Sequence, residues 1–237
     1  MTEASVNGGD KYRSYLTEED LRTTKWKAGP PNYDLVNELF EQGRTKIWPV
    51  GSLEEQVQNL VKTWEMERVH KADPHDYKTL DPQKFVIGVN GKRFSTIEQV
   101  AKIGGGYNNF LQTSLPPSLR FYDPDQETYD SSQLAFMTTF PRGFAIEILQ
   151  VYSGPPVICF KFRHWGYMEG PFKGHEPTGE LVELFGTGVF ELDENSKIVK
   201  IEFFFDRGEL LSALMKGKPY DQSTPQASSG SGCPFMA

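Results

Sequence analysis

The stretch from Phe140 to Gly217 limits the possible fold more than any other part of the chain. Three long apolar runs are separated by tight punctuation, and a short amphipathic run closes the series. Phe144–Tyr152 has the β-branched and aromatic content of a strand. Ser153-Gly154-Pro155-Pro156 reads as a turn, because glycine opens the dihedrals and two prolines cannot continue a ladder. Val157–Trp165 is the return strand. Alternation puts Ile158, Phe160, Phe162 and His164 on one face, and Lys161 and Arg163 on the other. Leu181–Leu192 is a third strand, Asp193-Glu194-Asn195-Ser196 a loop, and Ile198–Asp206 a fourth strand. A long, strongly curved sheet is the body such a sequence predicts.

The rest of the chain supplies helices. Asp34–Gln42 reads as a short helix stopped by Gly43. Ser52-x-x-Glu55 is a capping box, and Leu53, Val57, Leu60, Val61 and Trp64 follow at helical spacing, predicting a helix from about Leu53 to Lys71. Phe85–Val89 and Lys92–Phe94 flank Asn90-Gly91, a hairpin signal. Ser95-x-x-Glu98 caps a brief helix ending at Gly104-Gly105-Gly106. Tyr107–Leu115, Asp130–Thr139 and Glu209–Lys216 complete the helical set. Residues 1–30 read as an N-terminal extension, with Met1–Asp10 disordered and the Lys11–Pro31 part strapped onto the domain. Residues 31–217 form one α+β domain, and residues 218–237 a disordered tail rich in Ser, Gly, Pro and Gln.

Composition excludes several function classes. The net charge of −7, without a basic stripe, argues against nucleic acid as a partner. No apolar run approaches the roughly 20 residues of a membrane span. Two cysteines, Cys159 and Cys233, make no disulfide framework, so a reducing, cytoplasmic setting is expected. The four histidines, His70, His75, His164 and His175, form no metal-ligand spacing; neither a metal nor any other cofactor is expected. His70 and His75 lie near a helix end and read as solvated. Gly104-Gly105-Gly106 lacks the flanks of a nucleotide loop and reads as a helix stop.

His164 stands out because it shares the apolar strand face, where an imidazole must be hydrogen-bonded or line a cavity. Trp64, Tyr107, Tyr152 and Phe162 are candidate cavity linings, with plain core or rim packing as the alternative for each. On the fourth strand Val199, Ile201, Phe203 and Phe205 form a wholly apolar face, while Lys200, Glu202, Phe204 and Asp206 form the other. This pattern points Asp206 outward, and its place before a helix suits an N-cap.

Two sets of residues carry resemblances. Phe140-Pro141, Gly166…Gly170-x-Phe172-x-Gly174-x-x-Pro177-Thr178-Gly179, Lys197-Ile198-Val199, and Asp206 with Leu210-Leu211 resemble the polyketide-cyclase-like (SnoaL-like) branch of the nuclear-transport-factor-2-like superfamily. Asp10-Lys11-Tyr12-Arg13, Thr24-Lys25-Trp26, Pro30-Pro31-Asn32-Tyr33, Trp48-Pro49, Gly51-Ser52-Leu53-Glu54-Glu55 and His164-Trp165-Gly166-Tyr167 are similar to the plant pathogen-related protein group. The first resemblance implies a cone: a strongly curved, mainly antiparallel sheet with helices across its concave face. It also implies a cofactor-free isomerase, dehydratase or cyclase acting on a small hydrophobic metabolite, with Asp206 and His164 as proton-transfer groups and Glu202 and Phe204 as further lining. Glu202 departs from the bulky aromatic expected of the cyclases at that position. Asp206 reaches such a cavity only if something else, for instance a second copy in a homodimer, covers the apolar face of its strand. The other class compatible with the same residues is a non-catalytic module that binds a hydrophobic ligand or a protein in stress response or specialised metabolism.

Overall fold

The computed structural model describes residues 9–220. Its centre is a six-stranded sheet of β1 (Val86–Val89), β2 (Ser95–Thr96), β3 (Ala145–Ser153), β4 (Val157–Tyr167), β5 (Leu181–Leu192) and β6 (Ile198–Phe205) in the order β2-β1-β6-β5-β4-β3. All neighbours are antiparallel except β1 and β6, which run parallel. Register shifts between Ile148 and Gln150, Val151 and Ser153, and Glu191 and Leu192 are the kind of irregularity that bends strands. The fold is mixed α+β.

Side-chain alternation gives the sheet an aromatic inner face. Ile146 and Ile148 of β3, Ile158, Phe160, Phe162 and His164 of β4, Phe190 of β5 and Ile201, Phe203 and Phe205 of β6 lie on it by register. The long rings need room, and β5 supplies it with glycines. A Cβ on Gly186 would stand 2.5 Å from the Phe162 ring, and one on Gly188 2.4 Å from that of Phe160.

Helices α3 (Leu53–His70) and α6 (Tyr129–Thr139) cover this face. The side chain of Ser52 accepts from the Glu55 amide, whereas the Glu55 carboxylate reaches the Gly51 amide and leaves the box open on that side. Val57, Val61 and Trp64 of α3 pack with Phe160, Phe190 and Phe203 in one core cluster. Phe136 of α6 packs with Phe172, Val182 and Leu184 in a second, and Phe205 touches both.

The outer face is also partly closed by the chain itself. α2 (Asp34–Gly43) packs Leu39 and Phe40 against Ala145 and Trp165. Beside them the fully buried Glu147 carboxylate accepts from the Thr45 amide at 2.7 Å and from Arg163 Nη1 at 3.1 Å. Arg163 also donates to the Gly43 carbonyl and to Glu183. The segment before α2 contains α1 (Glu18–Thr23), capped by Thr17 and Asp20, which the sequence pattern did not reveal. Asp10 binds Arg13 and Asn37, and Arg13 lies 3.5 Å from the centre of the Tyr33 ring.

Several boundaries move. The return after Asn90-Gly91 pairs at Ser95–Thr96 and not at Lys92–Phe94. Helix α4 (Ile97–Lys102) is capped by Thr96, one residue later than expected. Helix α5 (Gly106–Phe110) stops well short of Leu115, and α7 (Arg207–Leu214) starts two residues before Glu209. Of the segments expected to be disordered, residues 1–8 and 221–237 lie outside the described residues. Asp10 and residues 218–220 do not fit that expectation: Asp10 is hydrogen-bonded, the Glu176 amide donates to the Lys218 carbonyl, and the Tyr220 amide donates to Gly174.

The Glu147–Arg163 pair generates a prediction. Glu147→Ala removes the buried carboxylate shared by Arg163 and the Thr45 amide, leaving Arg163 only the half-buried Glu183 as a charged partner, and should cost about 3–5 kcal/mol in urea unfolding. A loss within 1 kcal/mol would show that the pair is not holding α2.

Candidate functional site

β4 positions His164 by simple alternation: Arg163 points to the outer face, so its neighbour points inward. The imidazole stacks on Phe144 at 5.2 Å between centres, with 8° between the planes, and meets the Phe162 ring edge-on at 5.8 Å. Nδ1 is buried and has no hydrogen-bond partner among the described residues. Burial lowers the pKa of His164, so the ring is neutral at pH 7. Tyr107, on α5, stacks on Phe136 at 4.1 Å. Burial, and then the charge of Glu65, raise its pKa.

His164 and Tyr107 are both partly buried. The partly buried rings Phe110, Phe144 and Phe205 lie in the same region, where the two core clusters meet.

The other expected site residues separate into two groups. Trp64 and Phe162 are buried on the inner face, with the Trp64 ring 5.5 Å from Phe190 and its Nε1 unpartnered among the described residues. Tyr152, Glu202 and Phe204 are elsewhere. Tyr152 is 56 % exposed near the end of β3, and Phe204 is 44 % exposed on the outer face. Glu202 lies beside Lys200 on that same face, 3.6 Å from its Nζ.

Asp206 does not meet His164 across a shared cavity. β5 separates their strands, and Asp206 follows the last inward residue of β6, Phe205, as the exposed N-cap of α7. Its carboxylate accepts from the Gly208 amide at 2.7 Å. The apolar face of β6 is covered by the chain's own Trp64 and Phe110, so no partner subunit is needed to cover it, and the condition for turning Asp206 inward fails. Sequence alternation, which pointed Asp206 outward, agrees with this placement.

His70 is another correction. It packs edge-on to Tyr33 at 5.6 Å, and burial together with the charges of Lys27 and Arg13 lowers its pKa to about 4. His75 is exposed, as expected. Among the described residues no group of His, Cys, Asp and Glu could hold a metal ion. Gly104 and Gly105 turn the chain with φ of +85° and +90°, and Gly170 lies where a Cβ would be 1.9 Å from the Thr138 carbonyl, so both glycine loops serve backbone packing.

Two open surface grooves, of about 310 and 210 Å3, lie against the N-terminal segment beside Asp10 and Asp34. Carboxylates in them are already engaged, Asp10 by Arg13 and Asn37, and Glu41 by Lys11 and Arg44. Neither groove touches the inner face of the sheet.

A curated protein of Hordeum vulgare named "Pathogen-related protein" is 54 % identical over 237 residues, spanning 98 % of this chain and 97 % of its own length. The chain belongs to the pathogen-related protein family. No family model matches it. The solved structures similar to it include a protein from Jannaschia sp. CCS1 proposed to be a SnoaL-like polyketide cyclase. That match has 17 % identity and a TM-score of 0.37, over 59 % of this chain and 76 % of the other. A nuclear-transport-factor-2-like protein from Burkholderia thailandensis has 12 % identity and a TM-score of 0.36, over 66 % and 95 %. The motifs that carried the family resemblance do structural work. Asp10 and Arg13 fasten the N-terminal segment, Trp48 donates to the Ile148 carbonyl, and Trp165 fills the space left by Gly43. No helix among the described residues is long and apolar enough to cross a membrane.

Two predictions follow from these placements. Asp206→Ala should cost about 1 kcal/mol, and Asp206→Asn only a fraction of that, because asparagine caps nearly as well. Urea unfolding of both variants checks this. The folded-state pKa of His70 lies below the unfolded 6.5. The unfolded state therefore binds the extra proton between pH 6.5 and 4, and His70's contribution is complete above pH 6.5 and falls with pH through that window. His70→Gln should flatten the acid limb of stability against pH; an unchanged slope would contradict the assignment.

Proposed function

We propose that this pathogen-related protein binds a small, mostly apolar, ring-containing metabolite on the inner face of its sheet, beside His164. The observation that carries this reading is a pair of buried ring nitrogens on that face, His164 Nδ1 and Trp64 Nε1, which have no hydrogen-bond partner among the described residues. Buried polar atoms are ordinarily hydrogen-bonded, so two left without partners among aromatic rings suit a ligand that reaches them. The partly buried rings of Phe110, Phe144 and Phe205 would give such a ligand apolar surroundings, and a neutral imidazole would give it a polar contact.

A second reading adds chemistry: cofactor-free acid–base conversion of the same ligand as an isomerase, dehydratase or cyclase. A neutral imidazole with an unpartnered Nδ1 in an apolar setting favours it, because such a ring is in the form that can accept a proton from a bound ligand. Asp206 could join this reaction only by leaving its cap. The setting proposed is cytoplasmic, in stress response or specialised metabolism, consistent with the name of the barley relative. The exposed rings of Phe185 and Phe204 on the outer face support a homodimer through that face.

Thermal-shift screening of plant phenolics, terpenoids and alkaloids against nucleotides tests the binding reading, and turnover of the hits tests the second. His164→Phe keeps the stack on Phe144 and removes the polar atoms. It should leave stability within about 1 kcal/mol and weaken a hit about ten-fold. Stabilisation by nucleotides alone would overturn the reading. Sedimentation at micromolar concentration should show a dimer, and a strict monomer would remove the outer-face interface.

A further inference from the structure

We propose that residues 9–16 form a strap opened by acid: protonation of Lys62, whose amine is buried beneath Tyr12, favours lifting of the strap from α2 and α3. This is a property of the fold, separate from ligand binding on the inner face.

Lys62 is 1 % exposed, a rare state for a lysine. Two aromatic rings enclose its amine. Nζ lies 3.3 Å from the centre of the Phe40 ring on α2 and 4.8 Å from that of Tyr12 on the strap, and the two rings meet edge-on at 5.0 Å. The carboxylates around it are committed elsewhere. Asp10 holds Arg13 and Asn37, and Glu41 holds Lys11, Arg44 and the Tyr12 hydroxyl. On the sheet behind Phe40 and Trp165, Arg163 and Glu147 neutralise each other. Closing the strap therefore takes the amine out of water and sets the Arg13 guanidinium beside it as a like charge. Burial first, and then Arg13, hold the pKa of Lys62 well below its ordinary value; Glu65 on α3, with Asp10 and Glu41, opposes that fall without reversing it.

The strap contains other features that opening relieves. Arg13 Nε is buried without a partner among the described residues. Tyr15 has a φ of +61°, a left-handed conformation unfavourable to a bulky residue. The two surface grooves both border Gly9 and Asp10, so this end of the strap has free space beside it. Against these stand the buried Leu16 and the Ser14 amide, which donates to Thr63 Oγ1 at 3.0 Å.

In the open strap the amine meets water and recovers its ordinary affinity for a proton. The open form then binds more protons than the closed one, so opening increases as pH falls, by at most about ten-fold per pH unit. Between pH 9 and 7.5 the other groups packed here keep their charge. His70, with its pKa lowered to about 4, is neutral, and so is Tyr33, whose pKa burial raises. Lys27, lowered by burial to about 8, does titrate, but it sits on the Arg68 and Val69 carbonyls at the end of α3, outside residues 9–16.

Trypsin cleavage after Arg13 reads the open form, because Arg13 is 5 % exposed in the closed one. Dividing the rate for the full chain by that for a synthetic peptide of residues 9–20 removes the pH dependence of the protease. The ratio should rise about ten-fold from pH 9 to pH 7.5. Lys62→Met keeps the length of the side chain and removes the amine, so it should lower the ratio at pH 7.5 and flatten its dependence on pH. Lys62→Leu replaces it should the methionine variant fail to fold. A wild-type ratio that stays level or falls toward pH 7.5 overturns the proposal, and so does a folded Lys62 variant that keeps the wild-type slope. Absence of cleavage after Arg13 under conditions that digest the peptide also overturns it, because the strap then stays closed.

Discussion

The buried pair of Glu147 and Arg163 is the interaction on which the arrangement of the chain depends. It lies on the outer face of β3 and β4, and its hydrogen bonds reach Thr45, Lys46, Gly43 and Glu183. Through them the loop after α2 is fixed to the sheet, and α2 is held with Phe40 against Trp165. The same two strands carry Ile146, Phe162 and His164 inward against α3 and α6. Both faces of this part of the sheet are therefore closed by one chain. A buried charge pair is weak evidence of net stability by itself. Here the carboxylate accepts from the Thr45 and Lys46 amides of the loop as well as from Arg163, which an apolar side chain could not do.

The inner face shows how aromatic content becomes a site. Phe160 and Phe162 reach across β5 because Gly186 and Gly188 have no side chains to obstruct them. Trp64, Phe190 and Phe203 fill one end with offset and edge-on rings. Where the two core clusters meet, His164 stacks on Phe144 and Tyr107 on Phe136, bringing polar groups to the apolar face. The proposed function derives from this one region. The loop glycines and Asp206 derive from the demands of the backbone.

Much of this architecture was legible in the order of the residues. The four long strands, the helix after Ser52 and the division of β4 into inward Phe160, Phe162 and His164 and outward Lys161 and Arg163 follow from periodicity and turn chemistry. Alternation also placed Asp206 and Glu202 on the outer side of β6, against the expectation carried by the cyclase resemblance. Short local elements were less legible. Helix α1, the stop of α5 at Phe110 and the start of β2 at Ser95 involve few residues, and tertiary contacts decide them.

The sequence by itself determined the strands, the apolar stripe of α3 and the outward turn at Asp206, because each depends on neighbours two to four residues apart. Only the tertiary structure decided that Arg163 is buried with Glu147, 16 residues away, and that His70 lies against Tyr33 and not in water. Those relations join residues distant in the chain, and no local pattern encodes which charged side chain the fold will enclose.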